Sequence, residues 1–151
     1  MKVAAIVPAA GRGQRLGPGV PKALRCIGGV PILVHAVRGL TSAASIDLVV
    51  VAAPADDLAA VTELLADPAS RVPVEVVAGG ADRQASVALA IAALPPEIEI
   101  VLVHDAARPL TPPALIDAVV AAVRGGAVAV VPGLPVTDTV KTFTYGRMLS
   151  E

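Results

Sequence analysis

VAAIVPAAGRG, residues 3–13, sets a continuous apolar run directly before a glycine-rich turn. Five small or β-branched apolar residues without polar alternation have the form of a strand buried on both faces, and such strands belong to parallel sheets covered by helices. Short runs rich in Val and Ile recur at 48–52, 74–77, 100–103 and 127–131 and read likewise as buried strands, although Glu75 stands within the third of the five, and each is bounded by proline, glycine or a charged residue. Between them, 31–40, 56–66, 83–94 and 113–124 have helical length and composition. Pro31 and Pro113 suit a first helical turn, where a missing N–H does no harm. The alternation predicts an α/β fold in three layers, a mostly parallel Rossmann-like sheet with helices on both faces. From residue 132 the pattern changes, and PVTDTVKTF at 135–143 alternates like an exposed strand or arm.

Composition limits what this fold can do. With 151 residues, 55% of them hydrophobic, the chain can bury a core as one globular domain. A net charge of -1 without a dense Lys/Arg run argues against a nucleic-acid surface, so phosphate binding must be local. Pro8, Gly11, Arg12 and Arg15 interrupt the apolar N-terminus long before about 18 apolar residues accumulate, so neither a signal peptide nor a membrane span is expected. The single cysteine, Cys26, excludes an intrachain disulfide and a multi-cysteine zinc site, fits a reducing compartment, and is expected to be a small buried apolar residue.

In open α/β sheets ligands bind beyond the carboxyl ends of the strands, and the unusual polar residues of this chain follow strands. After the first, Gly11 and Gly13 let backbone N–H groups approach an anion, and Arg15 and Lys22 would repel one another without a phosphate between them. A tight turn without a ligand is the alternative. The loop is neither a Walker loop, since Gln14 and Arg15 follow Gly13, nor a dinucleotide fingerprint, since Leu16 stands where a third glycine or alanine belongs. Gly79 and Gly80 before a helix repeat the anion-friendly pattern, with Ser86 available to a base or sugar or serving as a cap. Asp105, ending the fourth run, is a candidate Mg²⁺ ligand beside polyphosphate or a structural partner of Arg108. His104 and His35 read as structural, and no Ser/His/Asp triad is present.

Ala9-Ala10-Gly11-x-Gly13-x-Arg15-Leu16, Pro21-Lys22, Gly79-Gly80-x-x-Arg83-x-x-Ser86-Val87, His104-Asp105-Ala106-Ala107-Arg108-Pro109 and Asp138-Thr139-x-Lys141 occur in that order. In this the chain resembles the 2-C-methyl-D-erythritol 4-phosphate cytidylyltransferases over about residues 3–143. The resemblance implies a sheet of the nucleotide-diphospho-sugar transferase type in a nucleotide-binding domain at 1–134, with the start of an extended β-arm at 135–151. It implies transfer of CMP from CTP to methylerythritol phosphate with release of pyrophosphate, in non-mevalonate isoprenoid synthesis, by a cytoplasmic Mg²⁺-dependent homodimer joined through the arm. Arg15 and Lys22 would be catalytic. Ala9, Ala10, Gly11, Gly13, Gly80, Ala81, Ser86, Asp105 and Ala106 would bind the nucleotide, Asp105 also the metal, and Arg108 and Thr139 the acceptor. Members of the family continue past residue 151 and draw further substrate contacts from that part. A CTP-binding chain without turnover, and a related nucleotidyltransferase or glycosyltransferase with another acceptor, remain alternatives.

Overall fold

The apolar run at the N-terminus becomes β1 (Lys2–Pro8), in which Val3, Ala4, Ala5, Ile6 and Val7 are all wholly buried. The computed structural model describes residues 1–11, 22–137, 143–144 and 147–148. After β1 come a 3-10 turn (Lys22–Leu24), a hairpin of β2 (Cys26–Ile27) and β3 (Val30–Pro31), α1 (Ile32–Thr41) and β4 (Leu48–Ala53). A second 3-10 turn (Ala55–Asp57) leads into α2 (Leu58–Leu65), followed by β5 (Val74–Ala78), α3 (Arg83–Ala92), β6 (Ile98–Val103) and α4 (Pro113–Arg124). A two-residue antiparallel pair, β7 (Phe143–Thr144) and β8 (Arg147–Met148), lies near the C-terminus.

Four parallel strands form the sheet in the order β5-β4-β1-β6. Ala4 stands opposite Leu48, Val3 opposite Ile100, and Val49 opposite Val74. Because side chains alternate across a strand, β1 supplies two cores. Val3, Ala5 and Val7 face Leu33, Val37 and Leu40 of α1, Val61 of α2, and Ile116 and Val120 of α4. Ala4 and Ile6 face Ala90 of α3, with Val87 packed alongside. Each buried Val, Leu or Ile contributes roughly 1.5–3 kcal/mol on leaving water, so this two-sided burial is what makes an all-apolar strand stable. The result is the expected α/β architecture, with three helices on one face and α3 on the other.

Several local expectations need correction. β5 and β6, expected to be buried strands, are the outer strands of the described sheet: β5 has no buried residue, and in β6 Ile100 alone is buried while Val101 and Val103 are 40% and 41% exposed. Residues 127–131 form no strand; Val128 and Val131 are 100% and 89% exposed. A strand requires a neighbour for its N–H and C=O groups, and an apolar run cannot say whether one is present. Among the described residues, β6 has β1 on one side and no strand on the other. Pro31 caps α1 from outside rather than occupying its first turn, whereas Pro113 does begin α4. Cys26 is exposed, because it belongs to a small hairpin that the apolar runs did not announce. That hairpin turns on Gly28 and Gly29, whose φ values of 58° and 79° suit a two-residue turn that side chains disfavour. The Ile27 carbonyl accepts a hydrogen bond from His35 Nε2 at 3.0 Å, which ties the hairpin to α1 and gives His35 its structural role. At 135–137 the chain has no regular structure, and the rest of the run expected to alternate begins outside the described residues. Among the described residues, no helix is long and apolar enough to cross a membrane.

Candidate active site

Three loops leave the sheet at its carboxyl end, and each is pinned where it leaves. The N–H groups of Ala9, Gly79 and His104 donate to the carbonyls of Ala52, Ala53 and Ile6, all at 2.8 Å, carrying the parallel ladder past the strands. Successive strands β1, β4 and β5 run to one side and β6 lies on the other side of β1, so the order reverses there. At such a switch point the loops diverge and leave a crevice. A cleft of about 610 Å³ opens between these loops.

Nine of the residues expected to bind ligands line it. Ala9, Ala10 and Gly11 come from the β1 loop, Gly80, Ala81 and Ser86 from the β5 loop and α3, and Asp105, Ala106 and Arg108 from the β6 loop. The roles expected of Gly13, Arg15 and Thr139 fall outside the described residues, as does that of the Lys22 side chain.

The second glycine pair is explained by packing. A Cβ on Gly79 would overlap the Cβ of Ala10, and one on Gly80 would overlap that of Ala85. These glycines therefore allow the β1 and β5 loops to touch. The helix end beyond them is not an open anion site, since the Asp82 carboxylate occupies it, accepting from the Ala85 N–H at 2.8 Å. Ser86 is 2% exposed; its hydroxyl accepts from the Gly80 N–H at 3.0 Å and donates to the Asp82 carbonyl at 2.8 Å. It braces the loop from within.

Asp105 is engaged more tightly than its sequence neighbours foretold. Its Oδ1 receives Arg83 Nη2 at 2.9 Å and Nε at 3.2 Å, while Arg108 Nε lies 3.6 Å from Oδ2. The Arg83 hydrogen bond holds the Asp105 carboxyl below the usual carboxylate range, against the opposing effect of burial. Arg108 has its backbone fixed and its side chain open: its carbonyl accepts from His104 Nε2 at 3.1 Å and from the Thr111 hydroxyl at 3.2 Å, while the side chain is 72% exposed. Burial lowers the pKa of His104, which favours the neutral ring in this structural bond.

Sequence reading gave Asp82 and Arg83 no role of their own. One signal was available for Arg83: a cation at the first position of a helix opposes the macrodipole and calls for a partner. Among the described residues no three His, Cys, Asp or Glu side chains cluster around a potential metal position. With Oδ1 taken by Arg83, Asp105 could offer a cation only Oδ2, so Mg²⁺ would draw its other ligands from substrate phosphates and water. That donor set fits magnesium bound together with a nucleotide.

Comparison with known proteins agrees with this geometry. The family described as 2-C-methyl-D-erythritol 4-phosphate cytidylyltransferase matches residues 3–150. Proteins of that name from Streptomyces avermitilis and Streptomyces coelicolor are 58% and 57% identical over 142 residues, covering 93% of this chain and 57% and 53% of theirs. The chain thus spans little more than half the length of these relatives. A 4-diphosphocytidyl-2C-methyl-D-erythritol synthase structure from Anaerococcus prevotii superposes with a TM-score of 0.80 at 26% identity, over 95% of this chain and 60% of that one. The Thermus thermophilus cytidylyltransferase structure has a TM-score of 0.64 at 37% identity, over 99% and 64%. With the match running from the first strand to the penultimate residue, the chain belongs to the 2-C-methyl-D-erythritol 4-phosphate cytidylyltransferase family.

Proposed function

We propose that the protein transfers CMP from CTP to 2-C-methyl-D-erythritol 4-phosphate, giving 4-diphosphocytidyl-2-C-methyl-D-erythritol and pyrophosphate. The observation that carries this reading is the convergence, at the switch point of the sheet, of the β1, β5 and β6 loops in a chain of this family. An oxygen of the acceptor phosphate attacks the α-phosphorus of CTP, and the bond from that phosphorus to the pyrophosphate oxygen breaks. A phosphate monoester is mostly dianionic at neutral pH, its second pKa being about 6, so the nucleophile requires no general base. Positioning and charge stabilisation suffice, in keeping with a cleft whose titratable groups are Asp82, Arg83, Asp105 and Arg108 among the described residues.

In this reading Ala9, Ala10, Gly11 and Gly13 hold the nucleotide through backbone groups, with Gly80, Ala81, Ser86 and Ala106 on the cytidine side. Arg15 and Lys22 stabilise charge at the α-phosphate and on the leaving pyrophosphate, and Arg108 and Thr139 receive the acceptor. Asp105 Oδ2 is the candidate ligand for Mg²⁺, which when bound would neutralise polyphosphate charge. The nucleotide-binding unit spans 1–134 and the arm begins at 135, joining two subunits in the cytoplasm. The exposed apolar side chains of Leu134 and Val136 support a covering partner there.

The test is pyrophosphate release from CTP and methylerythritol phosphate with Mg²⁺, run beside Lys22→Ala. Release that the substitution abolishes is expected. CTP binding without release in the unsubstituted protein would favour a nucleotide-binding role without turnover, and preference for another base would favour a different transferase.

A further inference from the structure

Arg83 begins α3, and its guanidinium reaches the end of β6 to place two N–H donors on one oxygen of Asp105. Stability does not account for this pair. The two side chains are 63% and 40% exposed, and exposed ion pairs contribute little to folding. The first turn of a helix is also an unfavourable place for a cation. Orientation does account for it: two donors converging on Oδ1 restrict rotation of the carboxylate and leave Oδ2 free of Arg83, on the side where Arg108 Nε lies at 3.6 Å. The preceding residue, Asp82, is pinned as the cap of α3, so Arg83 starts from a fixed backbone position.

We propose that Arg83 is a positioning residue, which locks Asp105 so that Oδ2 and the Arg108 guanidinium face the phosphorylated substrates together, without touching the substrates itself. This rests on the transferase reading above. Arg83 therefore acts on binding and turnover only through the Asp105 carboxylate.

The test is a double-mutant cycle of Arg83→Gln and Asp105→Asn, read as kcat, KM for each substrate, and Tm. Arg83→Gln should lower kcat/KM about tenfold or more with Tm nearly unchanged, and should cost almost nothing further once Asp105→Asn is present. Arg83→Lys, which keeps the charge but loses the planar fork, should recover only part of the loss. An equal loss in both backgrounds would show that Arg83 contacts substrate directly. A wild-type rate in Arg83→Gln, or a loss matched by a fall in Tm, would overturn the proposal while leaving the transferase reading intact. If the wild-type protein releases no pyrophosphate, the transferase reading fails separately, and the same four proteins are compared by CTP calorimetry. Weaker binding in Arg83→Gln only when Asp105 is present then supports the proposal; additive losses, or no CTP binding in the wild type, overturn it.

Discussion

Asp117 of α4 accepts both the backbone N–H and the hydroxyl of Ser45, at 2.9 and 2.6 Å on the same oxygen, across 72 residues of sequence. Its other oxygen accepts the Ala44 N–H at 3.4 Å. The carboxylate thus fastens α4 to the turn between α1 and β4, and neither residue lines the cleft. Asp117→Ala should lower stability by about 1–2 kcal/mol and leave nucleotide binding unchanged, as denaturant unfolding and calorimetry would show. The Ser45 hydroxyl is the main cause of the lowered Asp117 pKa. Its stabilisation is therefore complete above the unfolded pKa of about 3.9 and disappears as pH falls through the lower folded value. Acid titration of the variant should lack this component.

Gly79→Ala and Gly11→Ala should separate packing from ligand approach. A methyl at 79 meets Ala10 of the neighbouring loop, whereas among the described residues nothing lies within 4 Å of a methyl at 11. The first change should destabilise the protein by about 1–3 kcal/mol through overpacking and weaken CTP binding by displacing the β1 loop. The second should leave Tm unchanged, with any effect confined to CTP affinity. Equal Tm values for the two variants would contradict this account of the cleft wall.

Removing the Ser86 hydroxyl takes an acceptor from the Gly80 N–H and a donor from the Asp82 carbonyl. Ser86→Ala should cost about 1–3 kcal/mol, the penalty for unpaired buried polar groups, and should raise hydrogen exchange at Gly80. An unchanged exchange rate would mean that the loop holds without this brace.

On the proposed transfer reaction, the pH dependence of turnover should follow the substrate. The Arg83 hydrogen bond lowers the pKa of Asp105, and burial lowers that of His104, so both shift away from the titration of the proposed substrate. The acid limb of kcat/KM should therefore lie near the second ionisation of the acceptor phosphate, at about 6. His104→Gln should leave that limb in place. Stability linked to His104 has a different profile: it is complete above an unfolded pKa of about 6.5 and is lost as pH falls through the lowered folded value. Comparing rate profiles with unfolding midpoints would distinguish the two.

Much of the fold was legible because apolar runs without alternation have few other uses. Residues 3–7 and 48–52 are the buried central strands of one sheet; 74–77, which contains Glu75, and 100–103 fall within its outer parallel strands and are mostly not buried, and 113–124 coincides with α4. The run at 127–131 was equally apolar and forms no strand, since strand formation depends on a neighbour supplied from elsewhere. The β2–β3 hairpin escaped notice because two strands of two residues are too short to show a period.

The sequence by itself determined that polar residues would gather beyond the carboxyl ends of strands, and the order of its motifs pointed to the family. Alternation and loop chemistry are local properties that the linear chain carries. Only the tertiary structure decided that Gly79 makes room for Ala10, that Asp82 closes the end of α3, and that Asp105 is held by Arg83 more closely than by Arg108. The reason is distance in sequence: Arg83 and Asp105 are 22 residues apart, and they meet because α3 and β6 place their ends on the same cleft.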